Sequence, residues 1–157
     1  MNIGVDFHDT LSYNPKFFLN LFLNWKKTGK LFIVTGTPLS KEKIVEKSLK
    51  SMGFSGLYEK IIFGFEYSKE NMNQEHFIKM REHKLKSILE NDINIYFDDN
   101  PYYVDYLKNK GITVFQTILS DDYMDEFSKK DPYFTCNLQK NQFHNIYNIP
   151  LLNKKGE

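Results

Sequence analysis

Alanine occurs nowhere in the 157 residues, cysteine occurs once, and no apolar stretch is long. The missing alanine accompanies abundant lysine, asparagine, isoleucine, tyrosine and phenylalanine, and we read it as a compositional bias without functional meaning. The lone Cys136 cannot form an internal disulfide and has no catalytic neighbour in sequence, so an inert thiol in a reducing, cytoplasmic compartment is expected. A bilayer span needs about 20 apolar residues, and the richest run, Phe17 to Trp25, is broken by Asn20 and Asn24. No membrane association is therefore expected. The chain opens on MNIGVDF, a strand pattern and not a basic stretch followed by an apolar one, so no secretory leader is expected. Neither sign of charge dominates: 21 Lys plus Arg face 20 Asp plus Glu, a net charge of +1. That balance excludes the basic excess of a dedicated nucleic-acid binder.

With 41% hydrophobic and 26% charged residues the composition is that of an ordinary globular protein, and the length suits one domain. Five short apolar runs read as buried strands: Asn2 to Val5, Leu31 to Val34, Ile61 to Phe63, Ile93 to Phe97 and Ile112 to Phe115. Helical spacing separates them. Pro15 opens a helix with Phe17, Phe18, Leu21, Phe22 and Trp25 on one face, ended by Gly29. A second helix follows Pro38, with Ile44, Val45, Leu49 and Met52 apolar and Gly53 as its stop. The third, Gln74 to Glu90, aligns Phe77, Met80, Lys84, Ile88 and Leu89. A fourth follows Asn100-Pro101, buries Val104 and Leu107, and ends at Gly111. Strands alternating with helices of this length predict an α/β fold with a parallel, doubly wound, Rossmann-like five-stranded sheet. From about Ser120 the pattern weakens. Asp121 and Asp122, with Lys129 to Pro132, read as a loop, and residues 119–157 as a C-terminal extension packing on the core or on a partner.

Ligands of such sheets bind beyond the carboxyl ends of the strands, and there the polar residues collect. The first strand ends at Asp6, followed by His8, Asp9 and Thr10; the second ends at Thr35, followed by Gly36, Thr37 and Pro38; the fourth ends at Asp98 and Asp99. Three carboxylates converging on one edge repel one another and call for a cation, and oxygen donors of this type suit magnesium. Thr35 offers a hydroxyl, Gly36 a backbone amide, and Lys84 or Lys86 a compact positive charge for a phosphate. These are the parts of a phosphoryl-transfer site. His76, His83 and His144 are expected to be surface or packing residues.

Over residues 1–118 the sequence resembles the haloacid dehalogenase (HAD) superfamily. The first motif of that family, Asp, any residue, Asp, often Gly, then Thr and an apolar residue, is similar to Asp6, Phe7, His8, Asp9, Thr10, Leu11. The second resembles Leu31 to Thr35, the third a helix-borne Lys84 with Lys86 as the alternative, and the fourth Ile95 to Asp99. The resemblance implies that Asp6 is the nucleophile and becomes an aspartyl-phosphate. It further implies that magnesium is held by Asp6, the backbone carbonyl of His8, and Asp99, with Asp98 behind them. Thr35, Gly36 and Lys84 would hold the phosphoryl oxygens. One departure matters: the acid/base aspartate of the family is His8 here, so proton transfer must pass to imidazole or be lost. Asp9, where glycine is common, is a smaller departure, expected to turn outward.

Neither usual insertion point leaves room for a cap, so a HAD-like core at 1–118 without a sizeable cap domain is expected. The expected activity is a magnesium-dependent phosphohydrolase, hence a phosphatase. Its phosphorylated substrate would be a small molecule or a macromolecular end, and a homo-oligomer could supply a lid. The alternative is a catalytically weak metal- and phosphate-binding or regulatory domain.

Overall fold

The five runs become strands because each is short, apolar and rich in β-branched and aromatic side chains, and the inner ones lie between helices that cover both faces of the sheet. The structure, a computed structural model, describes residues 1–68, 72–127, 137–140 and 142. Its strands are β1 (Asn2–Val5), β2 (Leu31–Pro38), β3 (Lys60–Gly64), β4 (Ile93–Asp98) and β5 (Thr113–Gln116). The helices are α1 (Pro15–Trp25), α2 (Glu42–Ser51), α3 (Gln74–Glu90), α4 (Pro101–Asn109) and α5 (Asp121–Phe127). All strand pairs are parallel, in the order β3-β2-β1-β4-β5. β1 is central, with Val5 level with Ile33 on one side and Phe97 on the other.

Alternation along the strands divides the core in two. Ile3 and Val5 of β1 and Leu31 and Ile33 of β2 pack with Phe18 and Phe22 of α1 and Val45 and Leu49 of α2. Phe32, Val34 and Tyr96 pack on the opposite face with Ile88 of α3 and Leu107 of α4. Gly4 is required there, since a Cβ at that position would lie 2.9 Å from the Tyr96 ring. Neighbours along the order reverse direction of travel between β1 and β4, so a crevice opens beyond the ends of those two strands.

Several expectations need correction. β2 runs on through Thr35, Gly36 and Thr37 to Pro38, with an irregular register after Val34, and β5 begins at Thr113, leaving Ile112 outside it. Phe17, Ile44 and Leu89 were expected on apolar faces but are exposed, Ile44 by 65%. In each case the adjacent residue, Phe18, Val45 or Ile88, is the buried one. Successive helical residues point about 100° apart, so two neighbouring apolar residues cannot both be centred on the sheet. In α4 Tyr103 takes the buried place expected for Val104. Asp121 and Asp122 lie in the first turn of α5 and not in a loop, where acids favour a helix N-terminus.

Among the described residues neither insertion point carries a folded module: residues 7–14 are a turn, and nine positions, 65–73, separate β3 from α3. Leu119 and Met124 are buried against Tyr13 and Tyr123. Cys136 and His144, like most of 128–157, lie outside the described residues. No described helix is long and apolar enough to cross a membrane.

Candidate active site

Asp6 leaves β1 at the crevice. Its amide donates to the Phe97 carbonyl at 2.8 Å, which keeps it in register with β4, and its own carbonyl accepts from Leu11 at 3.1 Å across the turn Phe7–Leu11. Asp9 in that turn has φ +53°. A left-handed conformation favours glycine but is open to aspartate, which accounts for an acid at this position. The Asp9 carboxylate accepts from the Tyr123 hydroxyl of α5 at 2.6 Å. It is therefore drawn toward the C-terminal segment. Thr10 is buried and donates to Asp99 Oδ1 at 2.8 Å, linking the turn to the end of β4.

The end of β4 is shaped by the start of α4. Asn100 caps that helix, its Oδ1 accepting from the Tyr102 amide at 3.0 Å, and Pro101 occupies the first turn. The Asn100 amide in turn donates to Asp98 Oδ1 at 2.9 Å. Lys84 reaches the cluster from α3, whose Phe77, Met80 and Ile88 are buried as it is. Its ammonium donates to Asp6 Oδ1 at 2.8 Å and to Asp98 Oδ2, and lies 4.6 Å from the centroid of the Tyr103 ring. Lys86 is 72% exposed and faces Glu90.

Thr35 is fully buried. Its hydroxyl donates to Thr37 Oγ1 at 3.0 Å and accepts from the Thr37 amide at 3.1 Å. Thr37 Oγ1 pairs with His8 Nε2 at 2.9 Å. His8 is exposed, with its backbone extended at φ −75° and ψ 141°, and Gly36 lines the cleft beside Thr37.

Charge is out of balance in this cluster: Asp6, Asp98 and Asp99 are buried, and the buried cation among them is Lys84. Burial first, and Asp98 next among the groups that raise it, push Asp6 from 3.8 up to about 7 despite Lys84. Burial and then the Asp98 and Asp6 carboxylates raise Asp99 well above its ordinary value. Burial works against the charge of Lys84, but Asp6 and Asp98 outweigh it and hold the ammonium well above its ordinary range.

Among the described residues no three His, Cys, Asp or Glu side chains form a ready metal cage. The donors nevertheless fit a hard cation. Asp6 Oδ2 and Asp99 Oδ2 have no hydrogen-bond partner among the described residues. The buried carboxylates carry an excess of negative charge that an oxygen-seeking divalent ion would offset.

The cluster closes one end of a cleft of about 560 Å³, a volume suited to a small molecule. Sequence reasoning overlooked the role of Thr37, which joins His8 to Thr35, and of the aromatic wall formed by Tyr67 and Tyr103. It also overlooked Gln139. This fully buried side chain donates to the carbonyls of Asp99 at 2.6 Å and Thr117 at 2.7 Å and accepts from the Leu119 amide at 3.0 Å. No periodic signal marks Gln139; a lone amide in an aromatic and polar tail looks like loop.

Fold and site together define a doubly wound α/β protein with an acid and lysine cluster at its topological switch point. No family profile matches the sequence, and no curated protein matches it. Among solved structures the chain is similar to one in a Pnkp1/Rnl/Hen1 complex, at 15% identity and TM-score 0.57, over 76% of this chain and 46% of that one. It thus spans less than half the length of that chain. It is also similar to an uncharacterised protein from Corynebacterium glutamicum, at 18% identity and TM-score 0.47, covering 80% and 90%. A third is a HAD-family enzyme from Bacteroides thetaiotaomicron, solved as an aspartate-to-alanine mutant with magnesium and inorganic phosphate. There the values are 13% and 0.44, covering 72% and 58%. At such identities the likeness is one of fold.

Proposed function

We propose that the chain is a phosphohydrolase of the haloacid dehalogenase kind, acting through an aspartyl-phosphate on Asp6. The observation that carries this reading is the bond from buried Lys84 to both Asp6 and Asp98 at the switch point. The lysine orients one Asp6 oxygen and leaves the other directed to chemistry. That free oxygen attacks phosphorus, the bond to the ester oxygen breaks, and the departing oxygen takes a proton from His8. Water, its proton accepted by His8, then cleaves the acyl-phosphate to inorganic phosphate and restores Asp6. The Thr37 hydroxyl on Nε2 fixes which way the imidazole turns. Thr35, the Gly36 amide and Lys84 hold the phosphoryl oxygens in this scheme.

Asp6, the His8 carbonyl and Asp99 would hold magnesium, with Asp98 behind them; when bound, the ion supplies positive charge that keeps Asp6 ionised and offsets charge on the phosphoryl group. Burial raises Asp6 to about 7, and a bound cation would favour its ionised form, so the residues present are suited to it.

The test is phosphate release from a generic phosphate ester with magnesium. Wild type is expected to turn over and Asp6→Asn to be silent; equal release by both would overturn the nucleophile. The second reading, a phosphate-binding domain of poor turnover, is favoured by the imidazole that replaces a carboxylate at position 8. It would be supported by phosphate binding without turnover and by gain of activity in His8→Asp.

A further inference from the structure

Away from the acid cluster the cleft changes character. Tyr67, Met72 and His76 line it from the segment after β3 and the start of α3, and Lys41 and Ile44 line it from the side of α2. The Tyr67 and His76 ring centroids are 4.4 Å apart, and Phe65 backs His76 at 5.5 Å. His76 is itself buried, which lowers its pKa, and it supports the Tyr67 ring from behind. Tyr67 lines the same cleft as Asp6, and burial, then the Asp6 carboxylate, raise its phenol. Ile44 is 65% exposed although it lines the cleft, and Tyr67 and Met72 are only half-buried. This is apolar surface that the described chain does not cover.

The charges lining the same cleft limit what can bind. Among the described residues its cations are Lys84 and Lys41, against Asp6, Asp9, Asp98 and Asp99. Lys84 is already bonded to two of those carboxylates. One phosphoryl group can be accommodated, whereas the further phosphates of a nucleoside triphosphate or a polynucleotide would meet net negative charge. Among the described residues these walls are what meets the organic part of a substrate.

We propose that the recess selects monophosphate esters whose organic part carries a flat aromatic ring, aryl or nucleobase, held against Tyr67 with the phosphoryl group at Asp6. The inference rests on the phosphohydrolase reading, and its chemistry is unchanged: ester and water give alcohol and inorganic phosphate. A planar ring offers half-buried Tyr67, which His76 backs, a stacking partner and covers Ile44 and Met72 at the same time.

The experiment compares two pairs of esters whose leaving alcohols are similarly reactive and differ in the ring. These are benzyl phosphate against ethyl phosphate, and adenosine 5′-monophosphate against ribose 5-phosphate, with adenosine triphosphate and a 5′-phosphorylated oligonucleotide as further arms. Phosphate release is measured as kcat/KM for wild type, Tyr67→Leu, Ile44→Ser and, away from the cleft, Leu23→Ala. The ring-bearing member should be favoured by roughly tenfold in at least one pair, and which pair distinguishes aryl from nucleobase. Tyr67→Leu should reduce that ratio severalfold, Ile44→Ser in the same direction, and Leu23→Ala should leave it. Because Ile44 is exposed, its replacement tests the recess even where Tyr67→Leu folds poorly. A ratio near one in both pairs, preference for the polyphosphate or the oligonucleotide, or a ratio unmoved in both cleft variants would overturn the proposal. If no ester is turned over at all, the phosphohydrolase reading fails. Calorimetric affinities of the same pairs for wild type then judge the recess separately: tighter binding of the ring-bearing member keeps it, and equal affinities remove it.

Discussion

A lysine buried between two aspartates is noticed most when it is removed. Lys84→Ala leaves Asp6 and Asp98 buried without their cation, a change that costs on the order of 3–5 kcal/mol. Lys86→Ala, at an exposed pair with Glu90, should stay within about 0.5 kcal/mol of wild type. Urea denaturation of the two variants measures the difference, and comparable losses would contradict the placement of Lys84. The choice between the two lysines was legible in the sequence because Lys84 shares a helical face with Phe77, Met80 and Ile88. Its two-carboxylate bond was not, since Asp6 and Asp98 are brought together only by the pairing of β1 with β4.

His8 carries the second expectation at this scale. Imidazole titrates near pH 6.5 when unperturbed, so a proton-carrying His8 makes the rate depend on pH between about 5.5 and 8. His8→Ala should then lose on the order of 10² to 10⁴ in rate, and Thr37→Val, which deletes the hydroxyl on Nε2, should displace the profile. Profiles of His8→Ala and wild type that coincide, with His8→Asp gaining activity, would instead support the binding domain.

Among the elements, the segment 137–140 shows how little of the site can be read locally. Its Gln139 satisfies two carbonyls and an amide around the Asp99 backbone. Gln139→Leu keeps the approximate size but leaves the Thr117 carbonyl and the Leu119 amide without this partner, at about 1–3 kcal/mol for each one left unsatisfied, and the Asp99 carbonyl keeps only the longer bond from Gln116 at 3.3 Å. The expected outcome is a lower melting temperature together with a loss of phosphate release larger than stability alone explains, because the loop carrying Asp99 is released. An activity per folded molecule equal to wild type would show that Gln139 only stabilises. The strands and α3 were legible because period and length announce them. The buried face of each helix was less so, because Phe17 and Phe18, Ile44 and Val45, or Leu89 and Ile88 are equally apolar. Only the position of the sheet selects between them.

Across the whole molecule, the raised carboxyls couple stability to pH and to cations. A carboxyl whose folded pKa lies above its unfolded one binds its proton more tightly when native. For Asp6, raised from 3.8 to about 7, that stabilisation is complete below about pH 4 and is lost as pH rises to about 7. Asp99 shifts in the same direction. In chelator-treated protein the Asp6 contribution should therefore make wild type lose stability relative to Asp6→Asn as pH rises through this window. Melting scans of both across pH 4 to 8 check the sign, and parallel curves would count against it. Magnesium at pH 7.5 should reverse the loss by binding the native state alone. The melting temperature of wild type should rise with its concentration, and that of Asp99→Ala should rise less.

The order of strands and helices, the acids and hydroxyls at the strand ends, and the phase that turns Lys84 inward are determined by the sequence by itself, because period and local propensity act over a few residues. Strand order, and with it the meeting of Asp6 with Asp98 and Asp99, is decided by tertiary structure. So are the pairing of His8 with Thr37, the aromatic wall at Tyr67 and the seat of Gln139 at Asp99. Each depends on residues 29 or more positions apart, or on which side of an element the rest of the chain covers. Local sequence carries no record of those contacts, since packing of the whole domain supplies the free energy that selects them.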